Sequence, residues 1–281
     1  MAEISDRDQK QIESANSSGR TPAVFIHGLW LLAGSWENWL PVFEEAGYAP
    51  IAASWPDDPA SVEEAKANPE VFAGKSVAQV ADYHAELILG LSKKPVVIGH
   101  SFGGLLTEIV VGRGLASASV AISPAPFRGV LPVPLSAVRS SSPVLINPLN
   151  YNRSVPLTFE QFRYAFANAV GEFEAKELYE KYSVAGPGLP IFEAVSANLN
   201  PWSGLKVDTK NPDRGPLLLL GGERDHTVPW AITHASYKKQ RANPGVTEVN
   251  EMKGRGHSLT IDSGWREVAD TALAFLARFQ T

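Results

Sequence analysis

The chain of 281 residues contains no cysteine. That excludes disulfides, thiolate metal ligands and a cysteine nucleophile together. Basic residues are not in excess either: 25 Lys and Arg stand against 30 Asp and Glu, a net charge of −5. Nucleic-acid binding shows itself as a basic patch or stripe, so no nucleic-acid partner is expected. Long apolar runs are also missing. Stretches such as Pro216–Leu220 fall far short of the roughly 20 residues a membrane-spanning helix needs, and no membrane partner is expected. Met1–Arg20 is polar and charged and lacks the apolar centre of a secretory signal, which points to a cytoplasmic protein. There is no internal repeat. Nothing in the chain implies a metal or an organic cofactor, and Gly99–Gly103 lacks the spacing and the lysine of a phosphate-binding loop.

What the chain does contain is an alternation of strands and helices. An apolar run at Ala23–Ile26 ends at His27-Gly28, and Ala49–Ala53 is the next expected strand. Between them Ser35 stands as an N-cap before Trp36, Trp39, Leu40 and Phe43, which recur at helical spacing up to Gly47. Trp55–Gly74 is rich in Pro, Asp and Ala and reads as loop with room for a short helix. Ser76 caps a helix with Val77, Val80, Leu87, Ile88 and Leu91 on its apolar face. Further strands are expected at Pro95–Ile98, Ser119–Ile122, Leu217–Leu220 and about Val246–Val249, with helices at Phe102–Gly112, about Pro229–Arg241 and Trp265–Phe279. Strands that are mostly apolar throughout predict a parallel sheet covered on both faces. The expected class is α/β, a mostly parallel central sheet of about six strands flanked by helices.

Residues 125–213 break the rhythm. Prolines from Pro124 to Pro156 predict an irregular crossing, followed by helices at Phe159–Val170 and Glu172–Tyr182. The expected organisation is a loosely held arm over 1–20, a core of 21–124 and 214–281, and a mostly helical cap insertion over 125–213.

Sheets of this kind bind ligands beyond the carboxyl ends of their strands, and the motifs fall there. Gly99-His100-Ser101-Phe102-Gly103 joins a strand to a helix, the context a nucleophile elbow requires. The turn is so tight that glycines are needed two residues either side, and it presents Ser101 Oγ at a helix N-terminus. His27-Gly28-Leu29-Trp30 follows the first strand, where the Leu29 N–H can pair with that of Phe102 as an oxyanion hole while His27 braces the loop. Asp225, in the loop after Leu217–Leu220, is the candidate acid, with Glu223 the second choice. His257, between Gly256 and the last helix, is the candidate base. The order Ser, Asp, His is that of the hydrolase triad.

These motifs together resemble the α/β-hydrolase superfamily over about residues 22–124 and 214–280. The resemblance implies a Ser–His–Asp triad, an oxyanion hole and a cap, and is nearest to esterases, lipases and cofactor-independent C–C hydrolases. A serine nucleophile sets the chain apart from the epoxide-hydrolase and haloalkane-dehalogenase branches. Trp30, Phe102, Phe127 and Trp202 are candidate walls of an apolar pocket for a small-molecule substrate. Three activities stay open: hydrolysis of a carboxylic ester or lactone, C–C or thioester cleavage by the same triad, and ligand reception without turnover.

Overall fold

The strands β1 (Thr21–Ile26), β2 (Tyr48–Ala53), β3 (Val96–His100) and β4 (Ala118–Ile122), a two-residue antiparallel pair β5 (Ser154–Val155) and β6 (Gly186–Pro187), and then β7 (Leu217–Gly222) and β8 (Thr247–Met252) follow one another along the chain. Helices α1 (Asp6–Ser18), α2 (Trp39–Glu45), α3 (Val62–Ala67), α4 (Val77–Leu89), α5 (Phe102–Gly112), α6 (Leu135–Leu145), α7 (Phe159–Ala165), α8 (Glu172–Tyr182), α9 (Leu189–Ser196), α10 (Trp230–Gln240) and α11 (Trp265–Leu276) connect them. This computed structural model describes residues 3–280, so Met1 and Ala2 of the expected arm and Thr281 of the expected core lie outside the described residues. The main sheet has six strands in the order β2-β1-β3-β4-β7-β8, every neighbouring pair parallel. That is the sheet expected from the apolar runs.

Alternate residues along each strand feed opposite cores. Val24, Ile26 and Val97 pack with α4 and α5, while Phe25, Ile98, Val120 and Leu218 pack with Trp36, Trp39, Phe43 and the α11 residues Val268 and Phe275. Each fully buried side chain of this size contributes about 1.5–3 kcal/mol, so the two-sided burial dominates the fold's stability. No helix among the described residues is long and apolar enough to cross a membrane.

Three expectations need correction. The N-terminal arm is not loosely held. Ser5 caps α1, whose Ile12 and Ala15 are buried. Its Asp8 accepts hydrogen bonds from the Tyr83 hydroxyl at 2.8 Å and the Ser54 N–H at 3.2 Å. Gln11 pairs in both directions with the backbone of Ala52. Because β2 is an edge strand, this amide caps the outward N–H and C=O of Ala52 against pairing with another chain.

The second correction lies in the proline-rich crossing, which contains α6. Pro143 sits near the helix end and cannot donate to the Arg139 carbonyl. The Ser142 hydroxyl donates there instead, at 2.8 Å. Asn150 Nδ2 then donates to the carbonyls of Pro143 and Val144 and closes the helix. Thirdly, two expected helices are shorter. The run from Ser35 to Gly47 divides into a 3₁₀ turn at Ala33–Trp36 and α2, with the Ser35 hydroxyl donating to the Leu32 carbonyl rather than capping. Helix α7 stops at Ala165, which leaves the Phe166 carbonyl to accept the Ser258 N–H at 2.9 Å.

Candidate active site

Ser101 sits between β3 and α5 with φ 58° and ψ −121°, a left-handed conformation that costs a non-glycine residue about 1–3 kcal/mol. Its surroundings over-determine it. Its N–H donates to Ile122 at the end of β4, and its carbonyl accepts from Leu105 and Ala125. The flanking glycines are steric necessities. A Cβ on Gly99 would lie 2.1 Å from the Gly103 carbonyl oxygen, and one on Gly103 would lie 2.0 Å from that of Ile26.

Around this elbow the chain gathers the expected partners. His257 Nε2 lies 2.9 Å from Ser101 Oγ, and His257 Nδ1 lies 2.7 Å from Asp225 Oδ2. All three residues are buried. The other carboxylate oxygen of Asp225 accepts the N–H groups of Thr227 and Val228 at 2.8 and 2.7 Å, which fixes the acid in its loop after β7. Glu223, the second choice, turns away to accept from Lys253 Nζ at 3.2 Å and the Gly254 N–H at 2.8 Å.

The loop after β1 closes the other side of Ser101. A Cβ on Gly28 would meet Ser101 Cβ at 2.8 Å, so this backbone runs against the serine. Leu29 follows Gly28 and Phe102 opens α5. Neither N–H donates to a backbone acceptor among the described residues. His27 braces the loop by facing the Gly28 carbonyl and the Asp58 carboxylate, each at 2.9 Å. Trp55 completes the brace, its indole N–H donating to the His27 carbonyl and its ring stacking on His27.

Asp58 and Trp55 went unnoticed in the sequence, although their place just after β2 was a usable signal. Two other neighbours were also missed. Phe166 presents to the His257 ring at a centroid distance of 4.9 Å. His100 lies against it from the opposite element at 4.6 Å, with both of its own nitrogens buried and unpartnered. Burial holds the His100 imidazole well below the usual histidine range.

Above Ser101 is a largely apolar cavity of about 260 Å³. Ser101, Trp30, Phe102 and Phe127 line it from the core side, and residues of α6 and α9 from the other. Trp202 does not. It is 88% exposed, in a turn beyond α9, and is no wall of this pocket.

The chain matches the family model described as the alpha/beta hydrolase family over residues 23–271. It belongs to the alpha/beta hydrolase family. Among solved structures it is similar to a monoacylglycerol lipase of Paleococcus ferrophilus, at 20% identity over 92% of this chain and 95% of that one, TM-score 0.64. It is also similar to a putative non-heme bromoperoxidase of Mycobacterium tuberculosis H37Rv (18%, 93% of each chain, TM-score 0.66). A pyrethroid hydrolase from Sphingobium faniae JZ-2 aligns at 16% identity over 92% of this chain and 97% of that one, TM-score 0.61. At these identities the likeness is one of fold. A comparison with curated proteins found no match. Membership of the family supports hydrolase activity.

Proposed function

We propose that this chain is a serine hydrolase that cleaves a carboxylic ester or lactone of a medium-sized hydrophobic small molecule through an acyl-enzyme on Ser101. The observation that carries this reading is the unbroken hydrogen-bonded line from Ser101 Oγ through His257 to Asp225 beneath an apolar cavity.

His257 Nε2 takes the Ser101 proton as Oγ attacks the acyl carbon. The N–H groups of Leu29 and Phe102 hold the oxyanion, a contribution of about 10²–10³ in rate for each donor. The alkoxide leaves with the proton from His257, and Ser101 carries the acyl group. Water, deprotonated by His257, attacks the acyl carbon, and collapse releases the carboxylic acid and returns the proton to Ser101. Asp225 holds the imidazole in the tautomer that presents Nε2 to the serine and stabilises its protonated form. The segment between β4 and β7 acts as a cap that shields the acyl-enzyme and sizes the substrate.

The test is hydrolysis of p-nitrophenyl esters from acetate to decanoate by the wild type and Ser101→Ala. A cavity near the lower end of the roughly 300–1,000 Å³ usual for small-molecule sites favours the shorter members. Turnover in the wild type that vanishes in Ser101→Ala is the expected result. Turnover retained by Ser101→Ala, or absent from the wild type across the whole series, defeats the reading.

A further inference from the structure

Large apolar side chains stand exposed on one part of the molecule. Leu131, Val133, Leu135 and Val138 lie on or just before α6. Val195, Leu199 and Trp202 lie on or just after α9, and Leu135, Leu199 and Trp202 are 87%, 87% and 88% exposed. Hydrogen bonds join the two stretches: Arg128 donates to the Pro201 carbonyl at 2.8 Å, the Gly129 N–H to Asn198 Oδ1 at 2.6 Å, and Asn198 Nδ2 to the Val130 carbonyl at 3.0 Å. Val133, Val138 and Val195 also line the cavity above Ser101. The exposed patch and the cavity mouth are therefore one surface. Contiguous apolar exposure of this kind marks a binding face, unlike single scattered residues.

The charges along the stretch that carries α6 have one sign. Between Glu108 and Glu160 the chain has no acidic residue, and its only charges there are Arg113, Arg128, Arg139 and Arg153, in a protein of net charge −5. Arg113 pairs with Asp82. Among the described residues Arg128, Arg139 and Arg153 have no carboxylate partner, whereas Arg20, Arg163, Arg266 and Arg278 do. Arg139 lies over the Tyr164 ring, 4.0 Å from its centroid, and Arg139 and Arg153 are exposed. Glu193, on α9 itself, is half-buried and accepts the Val77 N–H at 2.8 Å. Apolar side chains that can enter the acyl boundary, flanked by exposed arginines, complement an anionic lipid surface. A second copy of the chain fits less well, since a two-fold contact would set these arginines against their own counterparts.

We propose that the α6–α9 face docks on anionic phospholipid membranes and turns the cavity mouth toward the bilayer. Peripheral docking needs no membrane-spanning segment, and no helix among the described residues provides one. Entry of a lipid-dissolved ester directly into the cavity would follow, and that consequence alone rests on the hydrolase reading.

The experiment is co-sedimentation of the full chain with phosphatidylcholine vesicles, with and without an equal part of phosphatidylglycerol. The chain is expected to pellet with the mixed vesicles. The double variant Leu199→Ser, Trp202→Ser lowers partitioning by about tenfold or more, and Arg139→Gln and Arg153→Gln each lower the phosphatidylglycerol preference by about fivefold. Turnover of water-soluble p-nitrophenyl acetate stays unchanged in all of them. No pelleting with mixed vesicles overturns the proposal. So does equal pelleting by the double variant, or a dimer in solution that the double variant dissolves. Ser101→Ala pellets like the wild type, so docking can fail or succeed independently of ester hydrolysis.

Discussion

The indole N–H of Trp30 donates to the Val155 carbonyl at 2.8 Å, while the Trp30 carbonyl accepts the Val184 N–H at 3.1 Å. These bonds fasten the loop after β1 to the segment that carries β5 and β6. Leu29, the proposed oxyanion donor, is the residue just before Trp30, which itself holds a left-handed φ of 63°. The indole also packs edge-on against Phe166, the ring that abuts His257. Trp30→Phe keeps most of the apolar contact and removes one hydrogen bond, worth about 1 kcal/mol. The expected outcome is a small loss of stability in urea and a fall in kcat of about tenfold on p-nitrophenyl butyrate, because a loosened donor weakens the transition state more than the ground state. An unchanged kcat would remove Trp30 from the positioning of the loop.

Asp225 and Glu223 are separated by one residue and differ in every contact. Asp225→Asn is expected to lower kcat by about 10⁴ with the fold retained, through loss of the productive tautomer. Glu223→Gln is expected to stay within about twofold of wild type, since its partners are surface groups and a surface ion pair contributes little. Steady-state kinetics of the two variants side by side decide the assignment.

The glycines of the elbow make a stability prediction. Gly103→Ala forces a methyl group onto the Ile26 carbonyl and is expected to cost about 3 kcal/mol or more. Gly34→Ala, where nothing lies within 4 Å, is expected to be close to neutral. Urea midpoints measure both.

The parts of the site that follow strands were legible in the sequence. Ser101 and Asp225 each stand just beyond an apolar run, and chain order together with its flanking glycine distinguished the late histidine, His257, from the other five. Boundaries within the helical segment were not legible. Pro143 suggested a break, yet a proline in the last turn removes only one bond, which the neighbouring Ser142 hydroxyl replaces. Helix α1 was hidden by its composition: its buried face is only Asp8, Ile12 and Ala15, and Asp8 looks like a surface residue until Tyr83 and Ser54 arrive from distant parts of the chain. Trp202 illustrates the converse. A tryptophan beside a proline turn carries no periodicity, so its exposure could not be read from its neighbours.

Two buried groups away from the site give the stability a pH dependence of opposite signs. Burial lowers His84 to about 4, and only its Nδ1 has a partner, the Val80 carbonyl. The unfolded chain binds this proton first as pH falls from the ordinary histidine value of about 6.5 toward 4, so stability drops over that window, by up to about 1.4 kcal/mol per pH unit. Burial raises the Glu108 carboxyl to about 7, against hydrogen bonds from Ser236 and Gln240. The folded state retains that proton while the unfolded chain has released it, so stability falls as pH rises from about 4.5 through 7. Glu108→Gln should flatten the upper window and His84→Phe the acid limb, in denaturant titrations across pH 4 to 8. A slope unchanged by either variant would assign the dependence elsewhere.

The central claim is that Ser101 is an activated nucleophile. Treatment with a fluorophosphonate, followed by mass spectrometry of the digested protein, tests it without knowledge of the natural substrate. A single covalent adduct on the peptide containing Ser101, lost in Ser101→Ala and strongly slowed in His257→Ala, is the predicted result. An unmodified Ser101 under conditions that label a known serine hydrolase, or an adduct on another residue accounting for the reactivity, would contradict it.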